Sequence, residues 1–130
     1  MKITNKTLMP IDLGGDGLVD GLIDLSKKDL PVKISSVIRK MLKFSIDEFK
    51  DVFQHRKDIL EKNSIKNDDG TPKMIEGGYV MVSPESGKKE IDELYGIEFD
   101  FEFKKIKLSE LGLDKISPDL LSRLDPVLEE

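Results

Sequence analysis

The 130-residue chain has no cysteine, no tryptophan and one histidine, His55. Without thiols, a disulfide scaffold, a zinc ribbon and thiol catalysis are excluded, and the composition fits a reducing compartment. A nucleophilic triad would have to use His55, which falls inside a helical stretch where a surface or interface role is the simpler reading. Long apolar runs are also missing: none approaches the roughly twenty residues of a membrane span. The opening, Met1 to Thr7, lacks the apolar centre of a secretory signal. Nor is there an excess of positive charge. Against 26 Asp and Glu stand 21 Lys and Arg, for a net charge of -5. That balance opposes broad attraction to nucleic acid or to an anionic membrane, while leaving room for a local basic pocket. A cytosolic protein of one domain is the expectation.

What is present is chiefly helical periodicity. Residues 1–30 read as a lead-in and a short helix. Lys2–Leu8 is too short to assign, and Met9–Gly17 is punctuated by Pro10 and three glycines. Leu18, Val19, Leu22, Ile23 and Leu25 then recur at helical spacing as far as about Lys28. Pro31 suits the first turn of a new helix, which the pattern extends to Asn63 (residues 31–63). Its apolar positions, Ile34, Val37, Ile38, Met41, Leu42, Phe49, Val52, Phe53, Ile59 and Leu60, keep one phase with no Gly or Pro between them. At 1.5 Å per residue such a helix is about 45 Å long, more than the width of a compact domain of this size. Part of it is therefore expected to project or to meet another chain, unless the sheet and terminal helix of the same chain cover it.

Residues 73–108 read as a hairpin, a short helix and a strand. The hairpin joins Met74-Ile75 to Tyr79–Val82 through Gly77-Gly78, and the helix over Lys88–Tyr95 closes at Gly96. Ile97, Phe99, Phe101 and Phe103 alternate with acidic residues in a strand reaching Leu108, with a bulge near Lys104-Lys105. Ser117-Pro118 opens a C-terminal helix within residues 117–130. The predicted class is α+β: a long amphipathic helix with shorter helices, packed on a small antiparallel sheet.

Few motifs carry chemistry. Glu98, Asp100 and Glu102 share a strand face, and Glu102-Phe103-Lys104 matches the Glu-x-Lys step of metal-dependent nucleases, but the solvated face of a half-buried strand explains them better. Asp12–Gly17 lacks the Gly-Lys-Ser/Thr ending of a P-loop and the spacing of a calcium loop, and reads as a flexible connection. No catalytic residue, metal or cofactor is implied. Lys33, Arg39, Lys40 and Lys43 cluster on the first half of the long helix, with Arg56 and Lys57 further on. The first four can form a patch for an anion, a nucleotide phosphate or an acidic partner, to which Tyr79 or Tyr95 would add a stacking face.

Several segments carry a resemblance: Met1-Lys2-Ile3, Leu30-Pro31-Val32-Lys33 leading into the long helix, and the turn at Asp69-Gly70. To these are added Ile91–Leu94 before Ile97-Glu98-Phe99, Ile106–Leu111, and the ending from Ile116-Ser117 to Leu124. Together they resemble a family of short, uncharacterised proteins of tailed bacteriophages and prophages. The Gly14–Gly17 stretch departs from that pattern. The resemblance implies a viral protein made in the host cytoplasm and carries over no catalytic residue. A non-enzymatic binding protein is then expected, a homo-oligomer acting on the host by sequestering a signalling nucleotide or blocking a defence protein. A virion-assembly or structural component is the alternative.

Overall fold

The computed structural model describes all residues, 1–130. Its longest element, α3 (Val32–Lys62), has 31 residues and starts directly after Pro31. Before it come β1 (Lys2–Thr4), α1 (Asn5–Leu8) and α2 (Leu18–Ser26). After it come β2 (Met74–Ile75), β3 (Gly78–Tyr79), α4 (Lys88–Tyr95) and β4 (Glu98–Asp100). The chain ends through β5 (Ile106–Lys107), α5 (Pro118–Leu124) and β6 (Leu128–Glu129). The class is α+β, with a long helix and small antiparallel pairings. No helix is long and apolar enough to cross a membrane.

The strands differ from the expected single sheet. β4 pairs antiparallel with β1, Ile3 opposite Phe99, while β2 and β3 pair only with each other. β5 lies parallel to β6 at the C-terminus. The strand foreseen from Ile97 to Leu108 is regular only over Glu98–Asp100. Beyond it the chain keeps delivering phenylalanines to one place. Phe99, Phe101 and Phe103 surround Phe44 of α3 at ring-centroid distances of 6.2, 5.7 and 5.8 Å. Aromatic packing replaces strand pairing there, since tilted and edge-on rings at these separations attract beyond their buried area.

One stripe of α3 is buried along its whole length: Ile34, Ile38, Met41, Ser45, Val52 and Ile59. Two apolar clusters of the same chain cover it end to end. The larger joins Ile34, Ile38 and Met41 to Leu18, Leu22 and Leu25 of α2, to Phe101, and to Leu120 and Leu124 of α5. The smaller joins Val52 and Ile59 to Met9, Leu94 and Tyr95. Each fully buried Leu of this kind contributes about 1.5–3 kcal/mol relative to exposure. The short α1 lies where the two clusters meet: Leu8 belongs to the first and Met9 to the second. The buried Asn5 side chain ties it to α4 by donating to the Leu94 carbonyl at 2.9 Å. The stripe that left open a second chain is thus covered from within.

Arg123 fastens α5 to α2. Its guanidinium reaches Asp24 and Asp119 at 2.9 Å each, with the side chain only 14% exposed. Gly21 permits this approach, because a Cβ there would lie 3.1 Å from the Arg123 Cβ. Ser117 caps α5 by accepting from the Leu120 amide at 3.1 Å.

The stretch from Gly14 to Gly17, read as a flexible connection, is a wound loop. The amides of Gly15, Asp16 and Gly17 donate to the carbonyls of Pro10, Lys6 and Met9 at 2.9, 3.0 and 2.9 Å. A Cβ on Gly15 would overlap the Met9 carbonyl, so only glycine fits. Gly15→Ala is therefore expected to lower unfolding free energy by about 1–3 kcal/mol, the usual cost of overpacking. Gly78→Ala, where a Cβ would meet nothing nearer than 3.7 Å, should change it by less than about 0.5 kcal/mol. Urea denaturation of both variants checks this.

Candidate functional site

The four cations of the first half of α3 stand on one broad flank of the helix. Lys33, Arg39, Lys40 and Lys43 are all exposed and none makes an ion pair. With about 100° of turn per residue, Lys33, Lys40, Lys43 and Arg39 fall in that order within a sector of about 120°. Arg39, Lys43 and Asp47 border a shallow hollow of about 300 Å³ whose apolar floor is Leu42 and Ile46. Tyr79 is not near them. Its hydroxyl donates to the Glu61 carboxylate at 2.8 Å, and Glu61 lies about 27 Å further along the helix than Lys43.

Tyr79 instead meets Arg56 and Lys57. Between the second half of α3 and the β2–β3 hairpin lies a hollow of about 590 Å³. Phe53 and Leu60 of α3, Leu13, and Met74, Tyr79 and Met81 form its apolar lining, and Arg56 and Lys57 supply its charge. The hairpin is held open by its turn. With Ile75 opposite Gly78, the two central residues are Glu76 and Gly77, both with positive φ, 53° and 80°. The paired residue Gly78 was expected at the bend. A turn with both central φ angles positive matches the twist of the flanking strands, although a non-glycine in that region costs about 1–2 kcal/mol. Hydrogen bonds from Ile65 to Val80 and from Val82 to Asn63, at 2.7 and 3.0 Å, fix the hairpin to the segment leaving α3.

Electrostatics at this end are built from few groups. The Glu61 hydrogen bond raises the Tyr79 hydroxyl above the ordinary phenol range by favouring its protonated form. Burial raises the Tyr95 hydroxyl, with the nearby Arg56 charge opposing that shift. Tyr95 donates to the Leu13 carbonyl at 2.8 Å, which holds one wall of the hollow in place. The Arg56 Nε is buried and has no hydrogen-bond partner. Sequence reasoning set Arg56 and Lys57 aside as lying beyond the basic cluster. Their three- and four-residue spacing from Phe53 and Leu60 was the available signal, but nothing in the sequence placed the hairpin over them.

His55 is exposed and borders a separate hollow of about 380 Å³ with Ile59, Glu90, Leu94 and Ile97. Glu98, Asp100 and Glu102 are exposed, and Asp100 is engaged by Lys2 at 3.0 Å. No three His, Asp or Glu side chains converge to hold a metal ion. No protein-family model, no curated protein and no solved structure matches the chain.

Where α3 ends, Glu90 of α4 accepts from Lys62 and Asn63 at 3.2 and 3.3 Å. These bonds hold its carboxyl below the ordinary carboxylate range, the Asn63 bond contributing most. A depressed folded-state value stabilises the fold above the unfolded-state value, and that stabilisation is lost as pH falls through the folded one. Acidification through the carboxylate range should therefore weaken the contact between α4 and the end of α3. Amide exchange of residues 88–95 should rise on acidification more in the wild type than in Glu90→Gln, after correction for intrinsic exchange rates.

Proposed function

We propose that the chain is a non-enzymatic, phage-encoded binding protein that acts in the host cell by occupying a defence protein or its nucleotide signal. The observation that carries the binding reading is the hollow beneath the hairpin. It offers a mostly apolar lining of the size small-molecule and side-chain anchors fill, with two cations to fix orientation and no nucleophile–base pair beside them. The phage assignment rests on the resemblance of the segments from Leu30 onward. Between the two targets, a protein partner is favoured. Tyr79, expected to stack beside the basic residues of the first half of α3, stands apart from them, bonded to Glu61 near the end of the helix.

Expression of the chain in bacteria carrying individual defence operons tests the proposal. Plating of a restricted phage should rise by orders of magnitude for at least one operon, with the chain absent from purified particles. No rescue, together with the chain found in particles by mass spectrometry, would instead establish the virion-component alternative.

The nucleotide reading retains one place, the Arg56–Lys57–Tyr79 hollow. A thermal-shift screen against cyclic dinucleotides and ADP-ribose derivatives addresses it, because a ligand that binds only the folded chain raises Tm by mass action. A shift abolished by Arg56→Ala would support this target. No shift with any of these compounds leaves the protein partner as the reading.

A further inference from the structure

The strand that begins as β3 runs on to Val82 and is paired on one side only. Ile75 lies opposite Gly78 and Met74 opposite Tyr79, and the Val80 amide donates to the Lys73 carbonyl at 3.0 Å. Beyond Val80 the segment leaving α3 takes over from β2 on the same side. The Ile65 amide donates to the Val80 carbonyl, the Val82 amide donates to the Asn63 carbonyl, and Ser64 stands opposite Met81. In an antiparallel ladder the main-chain groups of successive residues point to opposite edges. Gly78, Val80 and Val82 turn theirs to the paired side. The N–H and C=O groups of Tyr79 and Met81 therefore point to the other edge, where no part of the chain bonds to them.

Nothing in the sequence blunts this edge. From Gly77 to Ser83 there is no charged residue and no proline, two of the usual devices that keep an edge from pairing. The edge also borders the hollow over α3. Gly77, Gly78, Tyr79 and Met81 of this strand line that hollow, against Met74 alone from β2. A strand added to the edge would continue the sheet at about 4.8 Å from Tyr79 and Met81. Every second side chain of it would lie on their face, towards Phe53, Leu60 and Leu13.

We propose that the Gly78–Val82 edge receives an extended segment of a partner protein as an additional strand, with its alternate apolar side chains set over the hollow beside α3. The main chain decides the occupant. Unpaired donors and acceptors two residues apart are matched by an extended backbone, whereas a helix bonds its own groups internally. A second copy fits poorly. The inward positions of its edge are Tyr79 and Met81, which line the hollow of their own copy, the Tyr79 hydroxyl held by Glu61. Two such edges, each about 17 Å long, also bury far less than the roughly 800 Å² per partner of a stable interface. A partner segment adds to this the area of the side chains that fill the hollow. The inference rests on the reading of the chain as a binding protein and specifies how the partner is held.

A labelled heptapeptide of alternating leucine and threonine tests it, beside the same peptide N-methylated at every internal amide and a version with alanine for leucine. By fluorescence anisotropy at up to millimolar protein, the first should bind at least about tenfold tighter than either control. N-methylation removes the donors and leaves the side chains, and alanine does the reverse. In the complex, amide exchange of Tyr79 and Met81 should slow at least about tenfold, while Val80 and Val82, already bonded, change least. Met81→Pro removes an N–H that the fold does not use and should keep the native circular dichroism while abolishing binding. No binding of the first peptide, equal binding of either control, undiminished binding to folded Met81→Pro, or unslowed exchange at Tyr79 and Met81 overturns the proposal. So does light scattering that shows a dimer whose Tyr79 and Met81 amides are protected without peptide. If the peptides fail while the chain still rescues phage plating, the edge is refuted and the binding function stands. If the first peptide binds and no operon is rescued, the edge stands and the host-directed reading falls.

Discussion

Everything else in this protein depends on how the chain covers one stripe of an uninterrupted 31-residue helix. A helix of that length cannot be matched by one cluster of a small domain, and two clusters share the task. The helices α2 and α5 close over Ile34, Ile38 and Met41, while Met9, Leu94 and Tyr95 close over Val52 and Ile59. The junction is narrow. Ser45 supplies a small, fully buried side chain between them, and α1 contributes Leu8 to one side and Met9 to the other. The wound glycine loop follows from this arrangement, because Met9 must be held tightly while the chain turns back into α2.

Covering the helix on one side defines what remains on the other. The buried stripe and the sector beside it, from Leu42 to Leu60, belong to the same cylinder, so burying the first leaves the second partly covered. At the C-terminal half of the helix the hairpin arches over the same sector. It deepens the sector into a hollow between Phe53, Leu60 and Tyr79 and brings Arg56 into an apolar setting.

Much of the helical content was legible in the residues. The range of α3, the end of α4 before Gly96 and the Ser117 cap of α5 each follow from local signals: periodicity, a glycine stop, and a hydroxyl before proline. Strand pairing was less legible. Alternation of Phe99, Phe101 and Phe103 marks one apolar side, but it does not say whether hydrogen bonds or aromatic packing against Phe44 will hold that side. The pairing of β4 with β1 joins residues nearly a hundred positions apart, and no local pattern encodes such a partner. The place of Tyr79 was illegible for a related reason. Lys33, Arg39, Lys40 and Lys43 do share a flank of α3, but no local pattern places Tyr79, because the hairpin that carries it lands beside Arg56 and Lys57.

The long helix was determined by the sequence itself, because 3.6-residue periodicity without Gly or Pro specifies the element, although the apolar stripe it marks is wider than the buried one and includes Phe53, which stays 43% exposed. That the chain carries an apolar stripe far longer than a single small core was equally plain from the residues. Only the tertiary structure decided that this stripe is covered from within, that a neighbouring sector is left partly covered, and that Arg56, Lys57 and Tyr79 share a hollow. The physical reason is that burial is a collective property. A residue's own pattern says that it seeks cover, but which element supplies the cover depends on contacts between distant parts of the chain, each of which competes for the same surface.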